Sequence, residues 1–283
     1  MNKNRQIFSY FLLPITCFLL VLTLGFATPA PALELYGNFK QGGLVIGHED
    51  PGFEAFLDNI PLKVGPDGRF VFGFGREAGP VVTLRIVYAD GKVSEQTFDI
   101  EARVYDIERI DGLPPKTVII PEEEKIRREK ETAMVRTARA GSSNDLDWAE
   151  GFIFPAEGRI SGVYGSQRIL NGEPRWPHFG LDIAAPVGTP VMAPAGGVVR
   201  LAEEDFLLEG GIIIIDHGFG VTSTLMHLSS VEVTTGQRVE RGEVIAGLGA
   251  TGRVSGPHVD WRINWGPVRL DPALALDMDA LEF

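Results

Sequence analysis

The chain has 283 residues, 38 acidic and 26 basic side chains, and a formal net charge of −12. Without an N-terminal targeting segment roughly 250 residues remain, which suits two domains better than one. The acidic balance excludes nucleic-acid binding through a basic face. The single cysteine, Cys17, lies in the apolar N-terminal segment, so the rest of the chain uses neither disulfides nor thiolate ligands.

Residues 1–32 are predicted to be a secretory signal peptide. Lys3 and Arg5 supply the positive start, residues 11–26 are apolar, and residues 30–32 form a small-x-small cleavage site. Because the apolar stretch is long for a signal peptide, an uncleaved membrane anchor is the alternative. Cleavage predicts an exported protein of the periplasm or cell envelope that makes no membrane contact afterwards.

In residues 33–104, short runs of alternating apolar and polar residues are interrupted by turn residues. Asp90-Gly91 stands between runs of β-branched and aromatic residues, which is a strong hairpin signal. This region is therefore predicted to be a small β-sandwich domain of immunoglobulin-like size. His48, the one histidine in it, is expected to be a solvated loop residue rather than a ligand.

Residues 105–150 are predicted to be a linker. A charged helix should start at Pro121 and run to Arg139, because proline and acidic residues suit a first helical turn. The helix has few apolar residues, so it is expected to be a solvent-exposed spacer. Binding of a regulatory protein partner through residues 33–150 is the alternative.

Residues 151–283 again alternate between strands and glycine turns. Residues 212–215 are four consecutive isoleucines, which predicts a central strand buried on both faces. The region should form an antiparallel β-sheet or barrel-like domain. The predicted fold class is therefore all-β, with the two β-domains joined by the helical linker.

Four of the five histidines fall in this second domain, and two of them lie four or two residues before an aspartate. His178 and Asp182 are four residues apart around a glycine, and His258 and Asp260 alternate along a predicted strand. Catalytic zinc takes three imidazole or carboxylate ligands and leaves a fourth position for water. Each pair alone is explained as simply by an Asx turn or a surface histidine, so the signal lies in their co-occurrence.

The other two histidines have simpler explanations when each is taken alone. His227 in Leu-Met-His-Leu has the sequence of a satisfied core or edge histidine, and His217 in Asp-His-Gly that of a turn residue.

Several spaced motifs then occur in order between residues 152 and 275. They are His178-Phe-Gly-Leu-Asp182, Ala185-Pro-Val-Gly-Thr-Pro-Val-Met-Ala193, Asp216-His217-Gly218, Leu225-Met-His227-Leu-Ser229, Gly236 to Ala246, and Gly256-Pro-His258-Val-Asp260-Trp-Arg262. Together they resemble the lysostaphin-type (LytM-domain) zinc metallopeptidases, which cleave peptide crosslinks in bacterial peptidoglycan.

The resemblance implies a role for each matched position. His178, Asp182 and Asp260 would be the metal ligands, and His227 and His258 the catalytic histidines, either of which could act as the base. Asp260 stands where the family has a histidine. A carboxylate also binds zinc, but it should leave the bound water less acidified, and Mn²⁺ becomes an alternative to Zn²⁺.

The expected function is thus an exported metal-dependent endopeptidase whose partners are peptidoglycan peptides. The alternative is a degenerate LytM-type domain that activates a cell-wall amidase or binds peptidoglycan. A biotinyl- or lipoyl-type carrier is excluded, because residues 151–283 contain no lysine to modify.

Overall fold

The structure is a computed structural model, and it describes residues 33–110 and 122–276. The predicted signal peptide and the predicted helix start at Pro121 lie outside the described residues. Within the described ranges, neither helix is long and apolar enough to cross a membrane.

The N-terminal region folds as two antiparallel sheets. The first contains β1 (Glu34–Gly37), β2 (Leu44–His48) and β5 (Arg69–Gly73). The second contains β3 (Phe53–Leu57), β4 (Ile60–Leu62), β6 (Val81–Tyr88) and β7 (Val93–Asp99), in the order β4-β3-β6-β7. The hairpin predicted at Asp90-Gly91 joins β6 to β7.

Alternation along β5 explains how the first sheet is buried. Phe70 and Phe72 belong to the hydrophobic cluster shared with the second sheet, so the two sheets form a sandwich. Val71 points the other way and packs, with Leu44 and Ile46 of β2, into the core of the C-terminal region. Strands β2 and β5 of the first sheet are therefore buried on both faces, whereas β1 is partly exposed. The predicted domain boundaries at residues 104 and 150 stay a prediction.

The C-terminal region is built on one large antiparallel sheet. Its strands are β9 (Arg159–Gly162), β12 (Leu181–Ala184), β13 (Pro190–Met192), β14 (Gly197–Phe206), β15 (Gly210–Gly218), β16 (Val221–Val231), β17 (Arg238–Val239), β18 (Val244–Leu248), β19 (Val259–Trp265) and β20 (Val268–Leu270). The main path runs β17-β14-β15-β16-β19-β12-β9 and does not close into a barrel. The predicted all-β class is confirmed.

A small sheet contains β8 (Ile107–Ile110), β10 (Gln167–Leu170) and β11 (Glu173–Pro174), with β8 parallel to β10. The short helical elements are a 3-10 helix (Asp147–Glu150) and α2 (Pro272–Leu276).

The four isoleucines lie in β15, which is buried along its whole length between β14 and β16. Ile213 and Ile215 pack in the main core, and Ile212 and Ile214 pack on the opposite face. The predicted central strand is confirmed.

Helix α1 (Glu122–Ala140) is not a free spacer, so that expectation is wrong. Its Ala138 packs with Ile212, Ile214 and other residues on the second face of the large sheet. Arg128 forms an ion pair of 2.7 Å, between Nη1 and Oε2, with Glu209. Val135 and Ala138 dock the helix on the sheet, whereas Ile126 and Met134 are exposed.

Candidate metal centre

The three predicted ligands meet at one end of the large sheet. Asp182 of β12 lies directly opposite Asp260 of β19 in the antiparallel register, and His178 stands just before β12. One ligand atom from each residue lies within 4.8 Å of the other two. The short His-x-Gly-x-Asp segment and the strand pairing therefore bring distant residues into one cluster.

The geometry of this cluster fits a metal ion. His178 Nε2 lies 3.0 Å from Asp182 Oδ1 and 3.4 Å from Asp260 Oδ2. Yet His178 Nε2 and Asp182 Oδ1 are buried atoms without a hydrogen-bond partner in the described part of the chain. Ligand atoms that approach closely without bonding to one another can share a cation.

The backbone fixes the ring of His178 for this role. Its Nδ1 lies 3.1 Å from the carbonyl oxygen of Val163, which can only accept a hydrogen bond. Nδ1 therefore carries the proton, and Nε2 is the atom that faces the two carboxylates. An outer-shell carbonyl of this kind is the usual way in which a ligating imidazole is oriented.

Two glycines leave room for the carboxylates. A Cβ atom on Gly180 would lie 2.0 Å from Asp260 Oδ1, and one on Gly162 would lie 2.2 Å from Asp182 Oδ2. Any side chain at either position would displace a candidate ligand.

Electrostatics hold the cluster charged. Burial by itself lowers the pKa of His178, but the carboxylates of Asp182 and Asp260 outweigh it and raise that pKa to about 10. Burial also raises the pKa of Asp260, but Arg262 and His178 bring it well below its usual range. The site thus favours cations, whether a proton or a metal ion occupies it.

Arg262 is a site residue to which the sequence analysis gave no role. Its Nε lies 3.0 Å from Asp260 Oδ1, and its Nη2 lies 2.6 Å from Oδ2. The guanidinium offsets the extra carboxylate that Asp260 introduces, so the local charge equals that of a set with one aspartate and two neutral histidines. Strand alternation could have predicted this contact, because residues 260 and 262 share one face of β19.

The two predicted catalytic histidines lie beside the ligands. The ring centroids of His227 and His258 are 4.9 Å apart, and His258 Nε2 lies 3.9 Å from Asp182 Oδ1. The Nδ1 atoms donate to the carbonyl oxygens of Thr251, at 3.0 Å, and Gly256, at 2.9 Å. Because Nδ1 of each ring donates, Nε2 is the ring nitrogen that can accept a proton.

His227 has an unusual backbone conformation, with φ of 68°. A non-glycine residue with positive φ costs about 1–3 kcal/mol and is often found at functional sites. Burial lowers the pKa of His227, and the nearby His258 acts in the same direction, although Asp260 opposes both. The ring is therefore held neutral, as a proton acceptor must be.

The other two histidines lie outside this cluster. His217 is not a turn residue but a fully buried residue of β15, where it hydrogen-bonds Gly196 and, at 2.8 Å, Ser223 Oγ. Trp261 Nε1 donates to the same hydroxyl, so His217 belongs to a polar network within the core. His48 ends strand β2 and is half-buried, rather than lying in a solvated loop.

Part of the chain is similar to known proteins. Residues 176–272 match the sequence profile of Peptidase family M23. The chain is 40% identical over 106 residues to the peptidoglycan DD-endopeptidase ShyA of Vibrio cholerae serotype O1, an alignment that covers 37% of this chain and 24% of that protein. It is 35% identical over 126 residues to the cell division protein DipM of Caulobacter vibrioides, covering 44% of this chain and 20% of DipM.

A crystal structure from Pseudomonas aeruginosa, assigned to peptidase M23, covers 84% of this chain and 94% of its own, with 29% identity and a TM-score of 0.64. The chain thus spans about a quarter or less of the length of the two curated relatives, but nearly all of this solved chain. Residues 176–272, which contain all five predicted site residues, form a domain of peptidase family M23, and the LytM-type resemblance is confirmed.

Proposed function

We propose that this protein is an exported, metal-dependent endopeptidase that hydrolyses peptide crosslinks of bacterial peptidoglycan. The observation that carries the proposal is the convergence of His178, Asp182 and Asp260 beside two histidines whose Nδ1 atoms each donate to a backbone carbonyl. The endopeptidase named above as a relative supplies the substrate class.

The three ligands would hold a divalent ion, zinc by the family resemblance. When bound, such an ion acidifies a water molecule and polarises the scissile carbonyl. Because two of the three ligands are carboxylates, Mn²⁺ is the competing ion.

The protein's own histidines would take up the proton that the attacking water releases. His227 or His258 accepts it at Nε2, since Nδ1 of each ring already donates to a carbonyl. The carbonyls of Thr251 and Gly256 then stabilise the imidazolium that forms. A protonated ring can donate a hydrogen bond to the developing oxyanion and afterwards return the proton to the leaving amine.

The test is digestion of purified peptidoglycan by residues 33–283 with zinc or manganese, followed by mass identification of the muropeptides. We expect crosslink-cleaved fragments, lost in His227→Ala, while that variant keeps its bound metal in elemental analysis. His48→Ala is the matched control and should cleave normally. Absence of new fragments with either metal would contradict the proposal.

Arg262 supports a second candidate, an M23 domain that regulates an amidase or binds peptidoglycan without catalysis. The guanidinium already gives Asp260 a cationic partner, so the cluster can be held together without metal. A further relative, DipM, is named as a cell division protein and not as a peptidase. In that case metal removal would leave peptidoglycan binding unchanged, and residues 33–150 would be the surface for a protein partner.

A further inference from the structure

A cavity with a volume of about 810 Å³ lies next to the metal centre. Residues 75–78, after strand β5, form one wall. The other walls are formed by residues 174–177, Phe179, Gln167 and residues 267–269. The volume lies within the range of small-ligand sites, about 300–1,000 Å³. Pro177 and Phe179, on its lining, are the immediate neighbours of the candidate ligand His178.

The lining concentrates positive charge in an otherwise acidic protein. Three arginines face it, Arg76, Arg175 and Arg269, against one acidic residue, Glu77. Glu77 pairs with Arg76 but its side chain is 80% exposed, so that pair contributes little. Within residues 33–110 and 122–276, neither Arg175 nor Arg269 forms an ion pair, and Asp260 acts on Arg269 only at longer range.

Two of these arginines, Arg76 and Arg269, are held in place before any ligand arrives. Arg76 Nε donates to the carbonyl oxygen of Gly165 at 3.0 Å, and its guanidinium stacks 4.4 Å from the ring of Tyr105. The guanidinium of Arg269 lies 4.9 Å from the ring of Phe179. Fixed guanidinium groups lose little freedom on binding, which favours planar carboxylates as ligands.

An anion in the cavity could accept hydrogen bonds from Arg175 and Arg269. Arg175 Nε is buried and has no acceptor in the part of the chain that the structure describes. Burial and the neighbouring Arg262 lower the pKa of Arg269, while Asp260 acts in the opposite direction. Beside them, the indole of Trp176 is 90% exposed and offers an apolar face at the rim.

We propose that this arginine cavity binds a free carboxylate of the peptide substrate, to which Arg175 and Arg269 donate hydrogen bonds. Both sequence neighbours of His178, Pro177 and Phe179, line this cavity. Consecutive Cα atoms are about 3.8 Å apart, so a carboxylate one to three residues from the scissile bond could reach the cavity. The inference rests on the proposed endopeptidase function and narrows its substrates to acidic peptides.

The test compares a crosslinked peptide carrying free carboxylates with its full carboxamide analogue. Calorimetry on the metal-free full chain should show the acidic peptide binding about tenfold more tightly, the usual effect of a charge-assisted hydrogen bond. Arg175→Gln and Arg269→Gln should each reduce that ratio severalfold. Arg85→Gln is the control, because Arg85 also stacks on a ring, Phe56 at 4.1 Å, but lies outside the cavity lining.

The zinc-loaded full chain separates this inference from the proposed function. If the acidic peptide is cleaved with a lower KM than its carboxamide analogue and with a similar kcat, the result supports both the arginine cavity and the peptidase function. Equal binding of the two peptides by the wild-type protein, or a ratio unchanged in both cavity variants, overturns the arginine cavity even if cleavage occurs. Selective binding without cleavage overturns the peptidase alone. If Arg269→Gln fails to fold in circular dichroism, Arg175→Gln decides.

Discussion

Gly180 gives the sharpest test of the metal centre, because it removes space without removing a ligand. In Gly180→Ala the new Cβ would lie 2.0 Å from Asp260 Oδ1, whereas ordinary contact begins at 3.4 Å. The carboxylate must therefore withdraw by about 1.4 Å, several times the roughly 0.2 Å that metal–ligand distances tolerate. Nearby, Trp261 O and Arg262 Cγ lie 3.0 Å from the same Cβ position, so the methyl group cannot move aside.

We expect Gly180→Ala to weaken zinc binding by at least about 100-fold, the upper end of what outer-shell substitutions cost, because a ligand itself is displaced. The overpacking should destabilise the fold by about 1–3 kcal/mol. A competing chelator measures the affinity, and thermal unfolding measures the stability. Gly79→Ala is the matched control, because a Cβ there meets nothing within 4 Å. A folded Gly180→Ala protein with wild-type zinc affinity would refute Asp260 as a ligand.

Three further predictions concern the network around the site and the core. Arg262→Gln should move the rising limb of the pH–rate profile to higher pH, because two carboxylates without the guanidinium leave metal-bound water less acidic; an unchanged profile would show that Arg262 does not tune the site. Burial lowers the pKa of His217 below 6.5, so its contribution to the free energy of unfolding should be fully present above pH 6.5 and should fall as the pH drops below that value. The loss should reach up to about 1.4 kcal/mol per pH unit. In denaturant titrations, His217→Gln should flatten this pH dependence. Ile213→Ala should cost about 2–5 kcal/mol in free energy of unfolding, whereas exposed Val187→Ala should change it by less than about 0.5 kcal/mol; similar losses would contradict the buried position of β15.

The sequence by itself determined the features that depend on neighbouring residues. Strand alternation and the Asp90-Gly91 turn predicted the β class and a hairpin, and the run of isoleucines at residues 212–215 predicted the central strand. The His-x-Gly-x-Asp and His-x-Asp spacings singled out the residues that the fold gathers at one sheet end. These sequence patterns predict the structure correctly because turn and strand geometry depends on residues that are close in sequence.

Only the tertiary structure decided the features that join distant segments. The carbonyl of Val163 orients His178, and that of Thr251 orients His227, but carbonyl groups leave no mark in the side-chain pattern. The helix predicted as a spacer docks on the sheet, because Ala138 finds an apolar face that the chain builds much later. The arginine cavity likewise draws its charges from residues 76, 175 and 269, which come together only when both halves of the chain pack.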